Sequence, residues 1–330
     1  MQFGLFGGAR TQQRDDGSGD SQAYDDFIHY VVEAERLGFR SVFLVEHHFT
    51  GVGQLSASLT LLAYLAARTR SIRLGTAVVV LPWHNPVLLA EQAATLDLLS
   101  GGRLDFGVGK GYRASEFAGF RIAMDEATER FDEAIEVIRK AWTTPGRFSH
   151  RGRRWSFDDI VVEPAPLQRP HPPLWLAAGS PDSIRRAARE GYNLLLDQLG
   201  SVALTIERVA LFREECARIG RAYDPTMVGA TRALQIVRND AERQAAYETR
   251  ARVVRTIGDL ARGGGRLVPA EEDDAPLLGT PAEIVARLRK LNDGGVGNVL
   301  LVEPGANIAS LRTFAAEIMP ALNEGRAAAE

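Results

Sequence analysis

The chain has 330 residues, 45% of them hydrophobic and 25% charged, with a net charge of −3. This faintly acidic balance gives no reason to expect nucleic acid or an anionic membrane surface as partner, and no run reaches the roughly 18 apolar residues of a membrane span. The single cysteine, Cys216, excludes an internal disulfide, and the first residues lack the long apolar core of a signal peptide. The expectation is one cytoplasmic domain over residues 1–330, acting on a small-molecule substrate.

Short apolar runs alternate with longer segments of helical period. "QFGLFGG" (2–8) predicts a strand, and "SQAYDDFIHYVVEAERLGF" (21–39) an amphipathic helix that turns at Gly38. "SVFLVEHH" is a second strand, followed by a helix near 56–69. "IRLGTAVVVLP" is a third, stopped by Pro82 and followed by a helix over 86–100. "RLDFGVG" is a fourth strand, and a helix covers 126–142.

The rhythm breaks between about 145 and 173, where a glycine-centred hairpin and a proline-rich run read as an insertion. Strand "LWLAAG", helix 181–190, strand "NLLLD", helix 202–219 and strand "MVGATRALQIV" follow it. Next come a helix from about 240 and a glycine-rich loop. Helix 281–292 and strand "GNVLLVEP" close the series.

Eight strands in alternation with helices imply an α/β fold with a covered parallel sheet, and that number favours a closed (β/α)8 TIM barrel over an open doubly wound sheet. The working end of such a barrel is the C-terminal rim of its strands. "EHH" (46–48), "VLPWHNP", "GVGKGYR" and "AAGSPDS" all fall there.

Neighbouring residues of a strand point to opposite faces, so His47 and His48 are poorly placed to share a metal ion, and no HExxH or cysteine cluster is present. "GVGKGY" misses both the dinucleotide and the P-loop spacing. Its glycines still let backbone N–H groups approach a ligand, with Lys110 adding charge, although a tight turn would explain them equally. Helices opening at Asn85-Pro86, Ser180-Pro181 and Thr280-Pro281 carry capping residues. Thr280 is followed by Glu283, whose carboxylate repels anions, whereas Ser180 lies among Gly179, Ser183, Arg185 and Arg186.

A helix N-terminus carries roughly half a positive charge and a phosphate monoester about −1.5 to −2, so a phosphate at Ser180 needs a further cation such as Lys110. Phe6, Trp83 and Tyr112 fall on the rim and could face a planar ring. These residues point to a phosphorylated cofactor or substrate with a histidine close by.

"LVEHHFTGVG", "LGTAVVVLPWHNPVLLAEQAATLDLLSGGRLDFGVGKGY" and "LLGTPAEIVARL" resemble the bacterial luciferase-like family of flavin-dependent monooxygenases. The resemblance runs from the first strand to the last helix and is densest over 40–120. It implies reduced FMN delivered by a separate NAD(P)H:flavin reductase, reaction with O2 to a C4a-peroxyflavin, and oxygenation of a small organic substrate. It places His47 at the catalytic position and a non-prolyl cis peptide at Ala77-Val78 beneath the flavin ring. Phe6, Glu46, Lys110, Gly111, Tyr112, Gly179, Ser180 and Ser183 fall at positions lining the flavin or its phosphate. Loop 258–278 corresponds to a mobile lid, and a homodimer is implied.

Where the light-emitting subunit of the family has a cysteine, this chain has Gly109; an arginine is replaced by Lys110 and an acid by Gly179. Light emission and a long-chain aldehyde substrate are therefore not expected. Hydride transfer with deazaflavin F420 on the same barrel is the leading alternative. A flavin-binding protein without catalysis and a metal-dependent barrel hydrolase are the others. Asp97 and Arg103 are expected to fix a turn.

Overall fold

The computed structural model describes residues 1–11, 18–261, 273–303 and 305–323. They fall into two compact units, one formed by Met1–Gly7, Asp26–Val42 and Ala177–Glu330, the other by Gly8–Asp25 and Phe43–Leu176.

Eight parallel strands form a closed ring, the (β/α)8 barrel. In ring order they are β1 (Gln2–Gly7), β2 (Ser41–Leu44), β3 (Arg73–Thr76), β5 (Leu104–Gly109), β8 (Leu174–Ala177), β9 (Asn193–Leu196), β10 (Val228–Ile236) and β12 (Asn298–Val302), with β12 back against β1. Every residue of β2 and β5 is buried, which is why these strands read as continuous apolar runs rather than alternating ones.

In the second unit, α2 (Ser58–Arg68), α3 (Pro86–Leu99) and α5 (Ala127–Thr143) cover the strands. Gly75 is required where it stands, because a Cβ would lie 2.3 Å from the Phe43 ring. Phe43 in turn meets Trp175 edge-on at 5.2 Å. Asp97 accepts the backbone N–H of Gln168 at 2.8 Å, and Arg103 donates to the carbonyls of Ala66, Ile72 and Ser100, so both serve turns.

In the first unit, α1 (Ser18–Arg36) from Asp26 onward, α6 (Pro181–Arg189), α7 (Val202–Arg218), α8 (Asp240–Ala261), α9 (Pro281–Asp293), α10 (Ile308–Thr313) and α11 (Met319–Asn323) surround β1, β9, β10 and β12. Phe314 packs on Phe3 at 5.0 Å and Phe39 at 6.0 Å.

Four elements depart from the expected pattern. The third strand is broken: after β3 the Ala77-Val78 peptide is cis, and the chain resumes as the two-residue β4 (Val79–Val80), which pairs with β5. The second strand ends at Leu44 rather than His48, because the His47 amide turns to the Leu55 carbonyl at 2.9 Å. A six-residue helix, α4 (Ala114–Gly119), and a short strand, β11 (Leu277–Gly279), are additional. The expected hairpin is present as antiparallel β6 (Phe148–Arg151) and β7 (Ser156–Ile160). Of the expected lid loop, residues 262–272 lie outside the described residues.

Candidate functional site

The two adjacent histidines part company at the end of β2. His47 Nδ1 lies 3.0 Å from Glu116 Oε1, and His48 Nε2 lies 3.0 Å from Glu46 Oε1. Both carboxylates are almost wholly buried, Glu46 at 3% exposure and Glu116 at 1%.

Proton positions follow from groups that can only donate. With Glu116 as the carboxylate, Oε1 accepts both the His48 backbone N–H at 2.9 Å and the hydrogen carried by His47 Nδ1. Among the described residues nothing takes His47 Nε2, which in the neutral ring holds the lone pair. His47 is thereby fixed in the tautomer that can accept a proton. Arg113, also buried, sits 4.0 Å from Glu116 Oε1, donates to Gln54 Oε1 at 2.9 Å and lies over the Tyr112 ring at 5.6 Å.

Glu46 makes a second hub. Its Oε1 accepts Trp83 Nε1 at 2.8 Å, and an indole N–H only donates, so the His48 and His84 rings, 3.0 and 2.8 Å away, also donate through Nε2. Burial pushes the Glu46 carboxyl up, but the hydrogen bonds from His48, His84 and Trp83 outweigh it and bring it down to about 2. Trp83 stacks on Phe120 at 5.0 Å and meets His48 edge-on at 5.9 Å.

Close by, Ala77 N–H donates to the Leu44 carbonyl at 2.7 Å, which ties the cis step to the end of β2. A Cβ at Gly109 would lie 2.4 Å from Val78 Cγ2, and one at Gly111, where φ is +77°, would lie 2.8 Å from Val80 Cγ1. Backbone without side chains is thus enforced at this strand end. Tyr112 is half exposed and edge-on to His47 at 6.4 Å. Lys110 is exposed and reaches Thr128 Oγ1 at 3.4 Å.

The remaining expected positions belong to the first unit. Phe6 is half-buried on β1. Ser180 caps α6 and forms a capping box with Ser183, so the contrast drawn with the Thr280 helix narrows: both amide sets are locally satisfied. The two differ in charge, because a serine closes the Ser180 box and a carboxylate the Thr280 box. Arg185 and Arg186 pair along their own helix, with Asp182 at 3.5 Å and Glu190 at 2.8 Å.

Among the described residues no group of three or more His, Cys, Asp or Glu is placed to hold a metal ion. Sequence reasoning missed Glu116, Arg113 and the Glu46–His84 contact. Glu116 lies on a helix of only six residues, too short for periodicity to show.

The profile of the luciferase-like monooxygenase family matches residues 1–298. The oxygenase component of flavin-dependent trigonelline monooxygenase from Acinetobacter baylyi is 34% identical over 201 residues, 60% of this chain and 55% of that protein. The chain spans between 55% and 61% of the curated relatives it matches at 34% identity. F420-dependent glucose-6-phosphate dehydrogenase from Amycolatopsis mediterranei is 26% identical, across 90% of this chain and 94% of that one. The crystal structure of monooxygenase RslO1 from Streptomyces bottropensis superposes with a TM-score of 0.86 at 28% identity, covering 97% of this chain and 99% of its own. With its barrel, its cis peptide after β3 and a profile match over nearly its whole length, the chain belongs to the luciferase-like monooxygenase family.

Proposed function

We propose that this chain is the oxygenase of a two-component flavin-dependent monooxygenase. It takes reduced FMN from a separate NAD(P)H:flavin reductase and uses O2 to oxygenate a small organic substrate without emitting light. The observation that carries the reading is the His47–Glu116 pair, which holds an imidazole with one nitrogen anchored and the other unclaimed.

The residues fit the cofactor. Gly109 and Gly111 present bare backbone beside the Ala77-Val78 peptide, which suits the flat, hydrogen-bonding edge of a flavin. Phe6, Glu46, Tyr112, Gly111, Ala77 and Val78 would line the ring, while Lys110, Gly179, Ser180 and Ser183 are assigned to the phosphate end. When bound, the reduced flavin supplies two electrons and activates O2.

His47 Nε2 takes or returns the proton that the reaction moves, and Glu116 stabilises the imidazolium that results. Glu46 fixes Trp83, His84 and His48 as an aromatic wall that excludes water.

A homodimer is part of the proposal. Helix α3 leaves Leu88, Leu98 and Leu99 exposed, as neighbouring α2 does Tyr64. No described helix is long and apolar enough to cross a membrane.

The test mixes the protein with FMNH2 and then with oxygenated buffer containing candidate substrates. An oxygenated product is expected, and it should fall at least 100-fold in His47→Ala while FMNH2 binding persists. Unchanged yield removes His47 from the chemistry. The F420-dependent relative, matched over more of this chain than the trigonelline enzyme, supports a second reading of hydride transfer. Consumption of F420H2 without oxygen uptake would select it.

A further inference from the structure

A phosphate at the Ser180 helix start needs a cation, and the arginines adjacent in sequence are committed elsewhere: Arg185 to Asp182, and Arg186 to Glu190. A different guanidinium lies there. A Cβ on Gly179 would stand 3.1 Å from Arg208 Nη2, and a Cβ on Gly200 would stand 3.1 Å from Arg208 Nη1. Arg208 therefore lies directly against the backbone at both of these glycines. Its place on α7 put it some 28 residues beyond Ser180, outside any motif.

The bonding of Arg208 is one-sided. Nη1 donates to Asp197 Oδ2 at 2.8 Å, while Nε is buried and finds no partner, and Nη2 bonds to none of the described residues. Asp197 has other partners. That carboxylate also accepts the amides of Leu199 and Gly200, and the fully buried Arg232 stands behind it with Nη1 3.5 Å from the Asp197 carbonyl. A guanidinium held through Nη1, with Nη2 unclaimed among the described residues, has a donor to offer an incoming oxyanion. The departure at Gly179 gains a physical reason. A side chain there would crowd the tip of Arg208, and an acidic one would compete for its free donor.

We propose that Arg208 is a phosphate-binding residue of this chain. Its guanidinium, set between Gly179 and Gly200, receives the terminal phosphate of the cofactor together with the Ser180 and Ser183 hydroxyls. The proposal rests on the cofactor reading above and adds a residue to it. The phosphate could be the monoester of FMN or the diester of F420, which present the same oxyanion chemistry.

The test is anaerobic equilibrium titration of the full chain with reduced FMN and, in parallel, with reduced riboflavin, which lacks the phosphate. Wild-type protein should favour FMN at least tenfold. Arg208→Gln should lose at least tenfold in FMN affinity, about 1.4 kcal/mol, and leave riboflavin within twofold. Arg208→Lys should recover part of the loss, because an ammonium supplies charge without the fork.

Gly179→Ala should shift FMN affinity in the same direction as Arg208→Gln by crowding Nη2, a readout that does not require removing the arginine. Equal losses on both flavins, or an unchanged ratio, overturn the proposal. If neither flavin binds, F420H2 and its phosphate-free deazaflavin are titrated in the same way. Preference for the phosphorylated member of that pair, lost in Arg208→Gln, keeps Arg208 and discards the FMN reading. No preference in either pair discards Arg208.

Discussion

Glu116 Oε1 is shared between the ring of His47, at 3.0 Å, and the backbone amide of His48, at 2.9 Å, so a single buried oxygen sets both the tautomer of one histidine and the path of the chain through the next. Glu116→Gln retains an acceptor of the same shape but loses the charge that stabilises a protonated ring. Turnover should fall about 10- to 100-fold with reduced-flavin affinity unchanged, and Glu116→Ala should fall further. Stopped-flow product yields with parallel flavin titrations check this. Equal turnover in Glu116→Gln would show that the carboxylate only holds the loop.

Glu46 predicts an acid limb of stability. Its carboxyl titrates near 2 in the folded protein instead of near 4.5, so folding binds it as the anion. The stabilisation, on the order of 3 kcal/mol, is fully present above about pH 4.5 and is lost as pH falls toward 2. Glu46→Gln should be less stable than wild type at pH 7, and the gap should close on acidification. Urea unfolding between pH 3 and 7 measures it; a gap independent of pH would contradict it.

Glu303 behaves with the opposite sign. Burial lifts its carboxyl to about 7 despite hydrogen bonds from Ser310, Tyr30 and the Asn307 amide, with Tyr30 Oη at 3.0 Å. Its contribution is complete below about pH 4.5 and declines as pH rises through 7, because ionisation costs more in the folded protein than in the unfolded chain. Glu303→Gln keeps an acceptor for Tyr30 and cannot ionise. It should raise the melting temperature relative to wild type at pH 8 and change it little at pH 5.

Gly109 and Val78 should show strong coupling. A Cβ at 109 would stand 2.4 Å from Val78 Cγ2, so Gly109→Ala or Gly109→Cys should cost about 1–3 kcal/mol through overpacking. Val78→Ala in the same chain should return most of that loss. A double-mutant cycle by chemical denaturation, with no coupling beyond about 0.5 kcal/mol, would count against the contact.

The barrel was legible because its strands are buried on both faces and punctuated by Gly, Pro or a capped helix start, as at Pro82 and Ser180-Pro181. The place of His47 just beyond a strand was legible in the sequence and its proposed role came from the family resemblance, as did the cis step at Ala77-Val78. Glu116 was not, because α4 is a single short helix lying 69 residues from His47, and only tertiary folding brings them together. Arg208, proposed above, was hidden for a similar reason: it sits on a helix 28 residues beyond Ser180, and only folding brings it beside Gly179 and Gly200. The break between β3 and β4 left no sign in hydropathy, since "AVVV" is as apolar as the strand on either side.

Because Trp83, His84 and His48 all converge on one oxygen of Glu46, these four positions cannot drift independently. Exchange of any donor leaves the others facing an anion they no longer balance, and exchange of the acid strands three N–H groups at once. In descendants of this chain, the quartet at 46, 48, 83 and 84 should be inherited or replaced together.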